Sequence, residues 1–175
     1  MADRRGQTGS TPVHSTKNKI REVKPMKTKV YLASPFFNEE EIEIYDEVIG
    51  LLRSESDLDV FVPREHEIPG AWEMENRKWA EAVFAVDLIA LQQADIVVVL
   101  NFGMYSDSGT AWECGYAYGT GKKVLNILCG KKNSDYSLMM TNGTSATVSL
   151  DFFRTLLLEQ CFNLEKEHNE KIMQK

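Results

Sequence analysis

Two carboxylates stand close together in the segment from Tyr105 to Ala117, where a predicted helix begins. Asp107 or Ser108 has the residue type that caps a helix, and Glu113 follows within about the first turn. The helix dipole there favours negative charge, so we expect Glu113 to be ionised and able to act as a nucleophile. Asp107 has two interpretations, as a helix cap alone or as part of the chemistry.

The same segment carries no signature of phosphate binding. It has neither a Walker sequence nor G-x-G-x-x-G, and no Lys or Arg occurs between Lys78 and Lys122. Paired carboxylates would repel a phosphate, but they suit a reaction that develops positive charge, such as the oxocarbenium-like state of glycosyl transfer. The residue types therefore favour chemistry at the anomeric carbon of a sugar.

Alternating strand and helix patterns surround these carboxylates. Predicted strands cover residues 28–33, 58–62, 95–100 and 124–128, and predicted helices cover residues 38–53, 74–93 and 109–118. This order predicts a doubly wound, flavodoxin-like parallel sheet flanked by helices, a three-layer α/β/α fold. Ligands of such sheets bind at the carboxyl ends of the strands, which marks the loops that begin at Ala33, Pro63, Asn101 and Cys129.

Composition predicts one ordinary globular domain. The chain has 175 residues, 43% hydrophobic and 26% charged, and no apolar run approaches the roughly 20 residues of a membrane helix. Three cysteines and the lack of a signal-peptide pattern favour a reduced, cytoplasmic protein.

Residues 1–27 carry a net charge of +5 and the rest −11, so no nucleic-acid surface is expected. We divide the chain into a disordered arm or expression remnant (1–25), a single catalytic domain (26–162) and a charged tail (163–175).

The order of the chemically capable residues resembles the nucleoside 2-deoxyribosyltransferase family from Lys29 to about Val148. The matching positions are Tyr31, Phe37, Trp79-Ala80, Asp87-Leu88, Asp107, Gly109, Glu113 and Gly115-Tyr116-Ala117. The 20-residue step from Asp87 to Asp107 and the 6-residue step from Asp107 to Glu113 also resemble the family's spacing. The resemblance implies a salvage enzyme that moves the 2-deoxyribosyl group between purine or pyrimidine bases of 2′-deoxynucleosides.

The resemblance also implies a retaining double displacement with a role for each matching residue. Glu113 attacks the anomeric carbon and holds deoxyribose as an ester, and Tyr31 orients Glu113. Asp87 exchanges a proton with the base, and Asp107 contacts the deoxyribose hydroxyls. The implied substrate-binding residues are Phe37, Gly109, Ser137 and Met139. No cofactor and no metal are implied.

Ser137-Leu138-Met139 departs from the family pattern, which often has Asn-Leu-Met. The family asparagine reaches into a neighbouring subunit to bind the sugar 5′-hydroxyl, so either Ser137 or Asn142 is left for that role here. The resemblance implies a homo-oligomer built from dimers, up to a hexamer, with sites completed between subunits. The segment from Asp151 to Lys175, a predicted helix and charged tail, is longer than in short family members.

Two other functions fit parts of the sequence. An N-glycosidase acting on deoxynucleosides or their 5′-monophosphates would share the fold and the glutamate, but a phosphate needs a polar nest where residues 33–37 are apolar. A non-catalytic nucleotide-sensing module would have no use for Glu113.

Cys114 has no histidine near it in sequence, and the histidines are too scattered for a metal site. The loop 64–67 is expected to meet the base, and base preference is left open.

Overall fold

The structure, a computed structural model, describes residues 26–131 and 134–163. Its strands are β1 (Thr28–Ala33), β2 (Leu58–Phe61), β3 (Ile96–Asn101), β4 (Lys123–Leu128) and β5 (Ala146–Ser149). Its helices are α1 (Glu39–Ser54), α2 (Asn76–Gln93), α3 (Ser108–Gly119), α4 (Leu138–Asn142) and α5 (Leu150–Phe153). Short 3-10 helices cover Pro63–Glu65 and Ala71–Glu73, and residues 158–163 are also helical.

The five strands form one parallel sheet in the order β2-β1-β3-β4-β5, which confirms the predicted doubly wound fold. Every residue of β3 is buried, as expected for a central strand covered on both faces. Because successive strand residues point to opposite faces, Val30 and Val98 enter one core cluster and Tyr31 and Val97 the other. The strand order reverses between β1 and β3, where such folds have their ligand crevice.

The predicted strands and longer helices agree with the observed ones to within about two residues. Asn38 caps α1, accepting a hydrogen bond from the backbone N–H of Glu41 at 3.0 Å. The apolar face of α1 is buried, with Tyr45, Val48 and Leu52 fully enclosed. Periodicity predicted this helix because the buried positions recur at helical spacing.

Besides the 3-10 helices, one strand and one α-helix were not predicted, β5 and the short α4. β5 has only four residues, Ala-Thr-Val-Ser, and pairs with β4. A segment so short and so rich in small and polar residues carries little strand signal of its own, so pairing with β4 decides its conformation.

The described part of the chain contains no helix long and apolar enough to cross a membrane. Cys114, Cys129 and Cys161 are buried and unpaired. The arm predicted for residues 1–25 and nearly all of the tail predicted for residues 163–175 lie outside the described residues.

Candidate active site

A cavity of about 330 Å³ lies between α2 and α3 and contains two of the predicted carboxylates. Asp87 comes from α2 and Glu113 from α3, and Gly109 also lines the wall. The remaining lining residues are Phe84, Leu88, Leu91 and Trp112. The fold therefore brings three predicted site residues from two helices into one mostly apolar space.

Tyr31 of β1 contacts Glu113 from the sheet. Its side chain is fully buried, and its hydroxyl donates a hydrogen bond to Oε1 of Glu113. Burial and then the neighbouring Glu113 charge raise the pKa of Tyr31, so the hydroxyl stays protonated. Tyr31 is thus a permanent hydrogen-bond donor to the carboxylate.

Glu113 is poised between its charged and neutral forms near neutral pH. Burial raises the pKa of Glu113 to about 7, the Tyr31 hydrogen bond opposes this rise, and the charges of Asp87 and Asp107 add to it. The expectation that Glu113 is ionised is therefore met only in part, because a pKa of about 7 leaves it partly protonated at neutral pH. α3 begins at Ser108, which leaves Glu113 beyond the first turn, where the dipole is weak and loss of hydration dominates.

Asp87 is partly buried on the opposite wall. Burial raises the pKa of Asp87, and the charge of His66 opposes that rise. Because the charge of Asp87 raises the pKa of Glu113, this pair of carboxyl groups disfavours double ionisation. Such a pair can supply one nucleophile and one proton donor.

Asp107 is the N-cap of α3. Its Oδ2 accepts hydrogen bonds from the backbone N–H of Thr110 at 2.8 Å and from the Thr110 hydroxyl at 3.3 Å. A Cβ atom added at Gly109 would lie 2.8 Å from the same oxygen, so glycine is needed beside the cap. The capping interpretation of Asp107 is observed, and its role toward the sugar stays a prediction.

The other predicted substrate-binding residues lie away from this cavity in the same chain. Phe37 is 71% exposed and stacks on Phe36, with ring centroids 5.4 Å apart. Ser137 and Met139 line a second cavity of about 590 Å³, together with Cys114 and Asn142. Within one chain, therefore, neither Ser137 nor Met139 shares the cavity of Glu113.

Two further side chains bear on the earlier alternatives. The Asn142 amide donates to the Leu138 carbonyl oxygen at 2.9 Å, so its donor side is already engaged within α4. Burial raises the pKa of Cys114 to about 11, which suppresses the thiolate that a nucleophile needs. Among the described residues, no group of His, Cys, Asp and Glu could hold a metal ion.

His66 lies in the loop 64–67, which was expected to meet the base. Its imidazole stacks on Phe61 at 4.0 Å, and Phe61 stacks on Tyr31 at 5.5 Å. His66 lines a different cavity from Asp87, together with Arg53, Phe61 and Glu65.

Comparisons with known proteins identify related chains. The sequence profile of the nucleoside 2-deoxyribosyltransferase family matches residues 30–154. A 2-deoxyribosyltransferase from Bacillus psychrosaccharolyticus is 35% identical, with a TM-score of 0.60, and the match covers 69% of this chain and 85% of that one. A comparison with curated proteins gives no match.

A CMP N-glycosidase from Clostridium botulinum shares the fold at 17% identity and a TM-score of 0.51, over 73% of this chain and 97% of that one. Identity this low carries the fold and no more. The profile match and the 35% identical relative establish the family on sequence as well as fold. The chain belongs to the nucleoside 2-deoxyribosyltransferase family.

Proposed function

We propose that this protein transfers the 2-deoxyribosyl group between nucleobases through a covalent ester on Glu113. The observation that carries the proposal is the partly buried Glu113 carboxyl, held by the Tyr31 hydroxyl and sharing a cavity with Asp87. A nucleophile, an orienting donor and a second acid in one cavity are what a retaining double displacement needs.

The proposed reaction has two matching halves. The Glu113 carboxylate attacks the anomeric carbon of a 2′-deoxynucleoside, and the base leaves with a proton from Asp87. A second base then attacks the anomeric carbon on the face opposite Glu113 and gives its proton to Asp87, while the C1′–O bond of the ester breaks and releases the Glu113 carboxylate. A 2′-hydroxyl withdraws electrons from the oxocarbenium-like state, so ribonucleosides should be poor substrates.

A nucleoside fits this site better than a nucleotide. In the turn after β1 the Ser34 hydroxyl donates to the Pro35 carbonyl oxygen at 2.8 Å, so it is not free for a phosphate. Phe36 and Phe37 follow it, and no basic residue lines the Glu113 cavity. A 5′-phosphate would meet neither the charge nor the donors that anion sites provide.

We also propose that the protein is a homo-oligomer and that Ser137 and Met139 serve the site of a neighbouring subunit. In one chain they lie on the second cavity, away from Glu113. Leu138 and Met139 are 77% and 83% exposed, which is unusual for side chains of this size in a monomer. A neighbouring copy would cover them and leave Ser137 beside a substrate.

Chromatographic analysis of deoxyinosine or thymidine, incubated with and without adenine, tests the function. We expect deoxyadenosine to form only when adenine is present, and the Glu113→Ala variant to form none. Release of free base at the same rate with or without adenine would assign an N-glycosidase. Failure of deoxynucleosides and their monophosphates to react at all would favour a non-catalytic binding module.

A further inference from the structure

Two aromatic side chains form a wall of the cavity that holds Glu113 and Asp87. Phe84 of α2 and Trp112 of α3 both line this cavity. Their ring centroids lie 5.7 Å apart, and their planes are tilted by 58°. Tilted rings at such a separation attract each other, so the two side chains form one surface across the gap between the helices. This aromatic wall therefore belongs to the same small cavity as the proposed nucleophile and proton donor.

The indole of Trp112 is held by contacts within α3 and from α2. Tyr116, one turn later in the chain, stacks on the indole with ring centroids 5.3 Å apart and 20° between the planes. The Tyr116 hydroxyl accepts a hydrogen bond from the side-chain amide of Gln92 on α2 at 3.0 Å. Because these contacts fix the indole, a flat ligand can stack on it with little further loss of conformational entropy.

Much of the aromatic wall stays uncovered within one chain. Phe84 is 54% exposed and Trp112 is 48% exposed. Apolar side chains of this size, exposed together beside a concave site, mark a place that binds a ligand or another protein. Phe37, which the family resemblance implies as a substrate-binding residue, does not line this cavity. Among the described residues of the lining, Phe84 and Trp112 are the only aromatic ones, so they are the candidates for contact with a base.

The other residues of the lining favour a nucleobase as the occupant. Leu88 and Leu91 are apolar, and the polar side chains among the described lining residues are Asp87 and Glu113. An apolar surface of another protein would leave these carboxyl groups without partners, which is costly in a closed space. A base presents flat faces that stack on aromatic rings, and the nitrogen atoms at its edge can form hydrogen bonds with a carboxyl group. The lining thus matches a flat heterocycle.

We propose, resting on the transferase function above, that Trp112 and Phe84 stack on the nucleobase and hold it beside Asp87. The leaving base and the acceptor base occupy this cavity in turn, so the same wall serves both half-reactions. Because Glu113 serves the sugar, Asp87 is the polar side chain left for the base, and the area of stacking dominates the affinity. A purine has two fused rings and overlaps the indole more than the single ring of a pyrimidine does. The aromatic wall therefore favours purines.

Binding of deoxyadenosine and thymidine to the Glu113→Gln variant, measured by calorimetry, tests the aromatic wall without turnover. We expect this variant to bind deoxyadenosine more tightly than thymidine. Adding Trp112→Leu should weaken binding of deoxyadenosine about tenfold and of thymidine about threefold, because the larger stacking area is lost for the purine. Adding Trp112→Phe instead keeps a ring and should preserve most of the deoxyadenosine affinity.

The matched control is Trp72→Leu in the same background, because Trp72 is fully exposed and lies outside the cavity. This control should change neither affinity. Unchanged binding of deoxyadenosine after Trp112→Leu would overturn the proposal, and so would failure of both nucleosides to bind. A loss of affinity that sedimentation shows only together with dissociation of an oligomer would assign Trp112 to a subunit contact and overturn the proposal as well.

The transfer assay separates this inference from the proposed function. In protein that keeps Glu113, Trp112→Leu should raise the KM for adenine about tenfold and leave kcat at saturating adenine within about twofold, because the wall binds the base without taking part in the bond changes. Transfer with an unchanged KM would contradict the wall and leave the proposed function standing. Ring-dependent binding of deoxyadenosine by a protein that transfers no deoxyribose would instead contradict the proposed function.

Discussion

At the residue scale, Glu113 meets two opposing demands. A buried carboxylate is a strong nucleophile because little water shields it, but burial also favours its neutral form. The Tyr31 hydroxyl offsets part of this cost by donating to the charged form. The resulting pKa of about 7 leaves Glu113 partly ionised at neutral pH, and burial also raises the pKa of Asp87.

The Tyr31→Phe variant should make Glu113 harder to ionise. Loss of the hydroxyl removes the interaction that lowers the pKa of Glu113, so the acid limb of the kcat/KM profile should move up by about one pH unit. Transfer at pH 6.5 should fall roughly tenfold, with a smaller loss at pH 8.5. Tyr105→Phe, at a fully exposed tyrosine, is the matched control. An unchanged profile in Tyr31→Phe would contradict the orienting role.

The Glu113→Gln variant should be inactive but more stable than the wild type at alkaline pH. A carboxyl whose pKa rises from 4.5 to about 7 on folding binds more protons in the folded state, so stability falls as pH rises through that range. Glutamine has no such charge and still accepts the Tyr31 hydrogen bond. We expect a gain of about 2 kcal/mol, or about 5 °C in Tm, at pH 8.

Calorimetry at several pH values checks that gain. The difference between Glu113→Gln and the wild type should shrink toward pH 5, where Glu113 is mostly protonated. Glu43→Gln, at an exposed position of α1, should leave Tm nearly unchanged at every pH. A stability difference that does not vary with pH would show that ionisation of Glu113 is not its source.

At the scale of elements, the start of α3 sets the geometry of the site. Asp107 fixes the first turn of α3 by accepting a hydrogen bond from the Thr110 backbone N–H, and Glu113 follows in the next turn. Gly109 leaves room for the Asp107 carboxylate, which a Cβ atom would approach within 2.8 Å. The cap and the nucleophile therefore depend on one turn of helix.

The Gly109→Ala variant should weaken both stability and transfer. Displacing the Asp107 side chain forfeits its cap, which costs about 1 kcal/mol, and moves the cavity wall. We expect a lower Tm and at least a tenfold loss of transfer, measured by calorimetry and by the chromatographic assay. Gly50→Ala in α1 is the control, because its Cβ would meet nothing within 4 Å. Gly50→Ala should raise the free energy of unfolding slightly, by about 0.5 to 1 kcal/mol.

At the scale of the whole molecule, large apolar side chains remain uncovered on three helices of one face of the sheet. They include Phe84 on α2, Trp112 and Tyr118 on α3, and Leu138 and Met139 on α4. Parts of this surface border both cavities. An interface there would bury apolar area and add residues to the site in one event.

The Leu138→Asp variant tests this assembly. A buried charge at an apolar interface is costly, so we expect sedimentation to show monomers where the wild type forms oligomers. Transfer should fall with the loss of assembly, although Glu113 and Asp87 are unaltered. Glu81→Gln, an exposed change on α2, should preserve the oligomer. A monomeric wild type with full activity would contradict the shared-site proposal.

Much of the fold followed from sequence pattern. The continuous apolar run of β3 and the helical spacing of α1 predicted their elements, because burial on two faces or on one leaves a direct trace in residue order. The strand β5 left no such trace, since its four residues take their conformation from pairing with β4. The same distinction holds for the candidate site, where local pattern indicated the residue types and packing decided their surroundings.

The sequence by itself identified the candidate residues for the chemistry. The types and spacing of Asp107 and Glu113 pointed to glycosyl transfer, and the family resemblance added Asp87, because residue type and spacing are local features of the chain. Only the tertiary structure decided their protonation, their partners and the division between two cavities. Burial sets the pKa of Glu113. The hydrogen bond from Tyr31 to Glu113 joins segments that lie far apart in the chain. Residue order alone measures neither the burial of a side chain nor its contacts with distant segments.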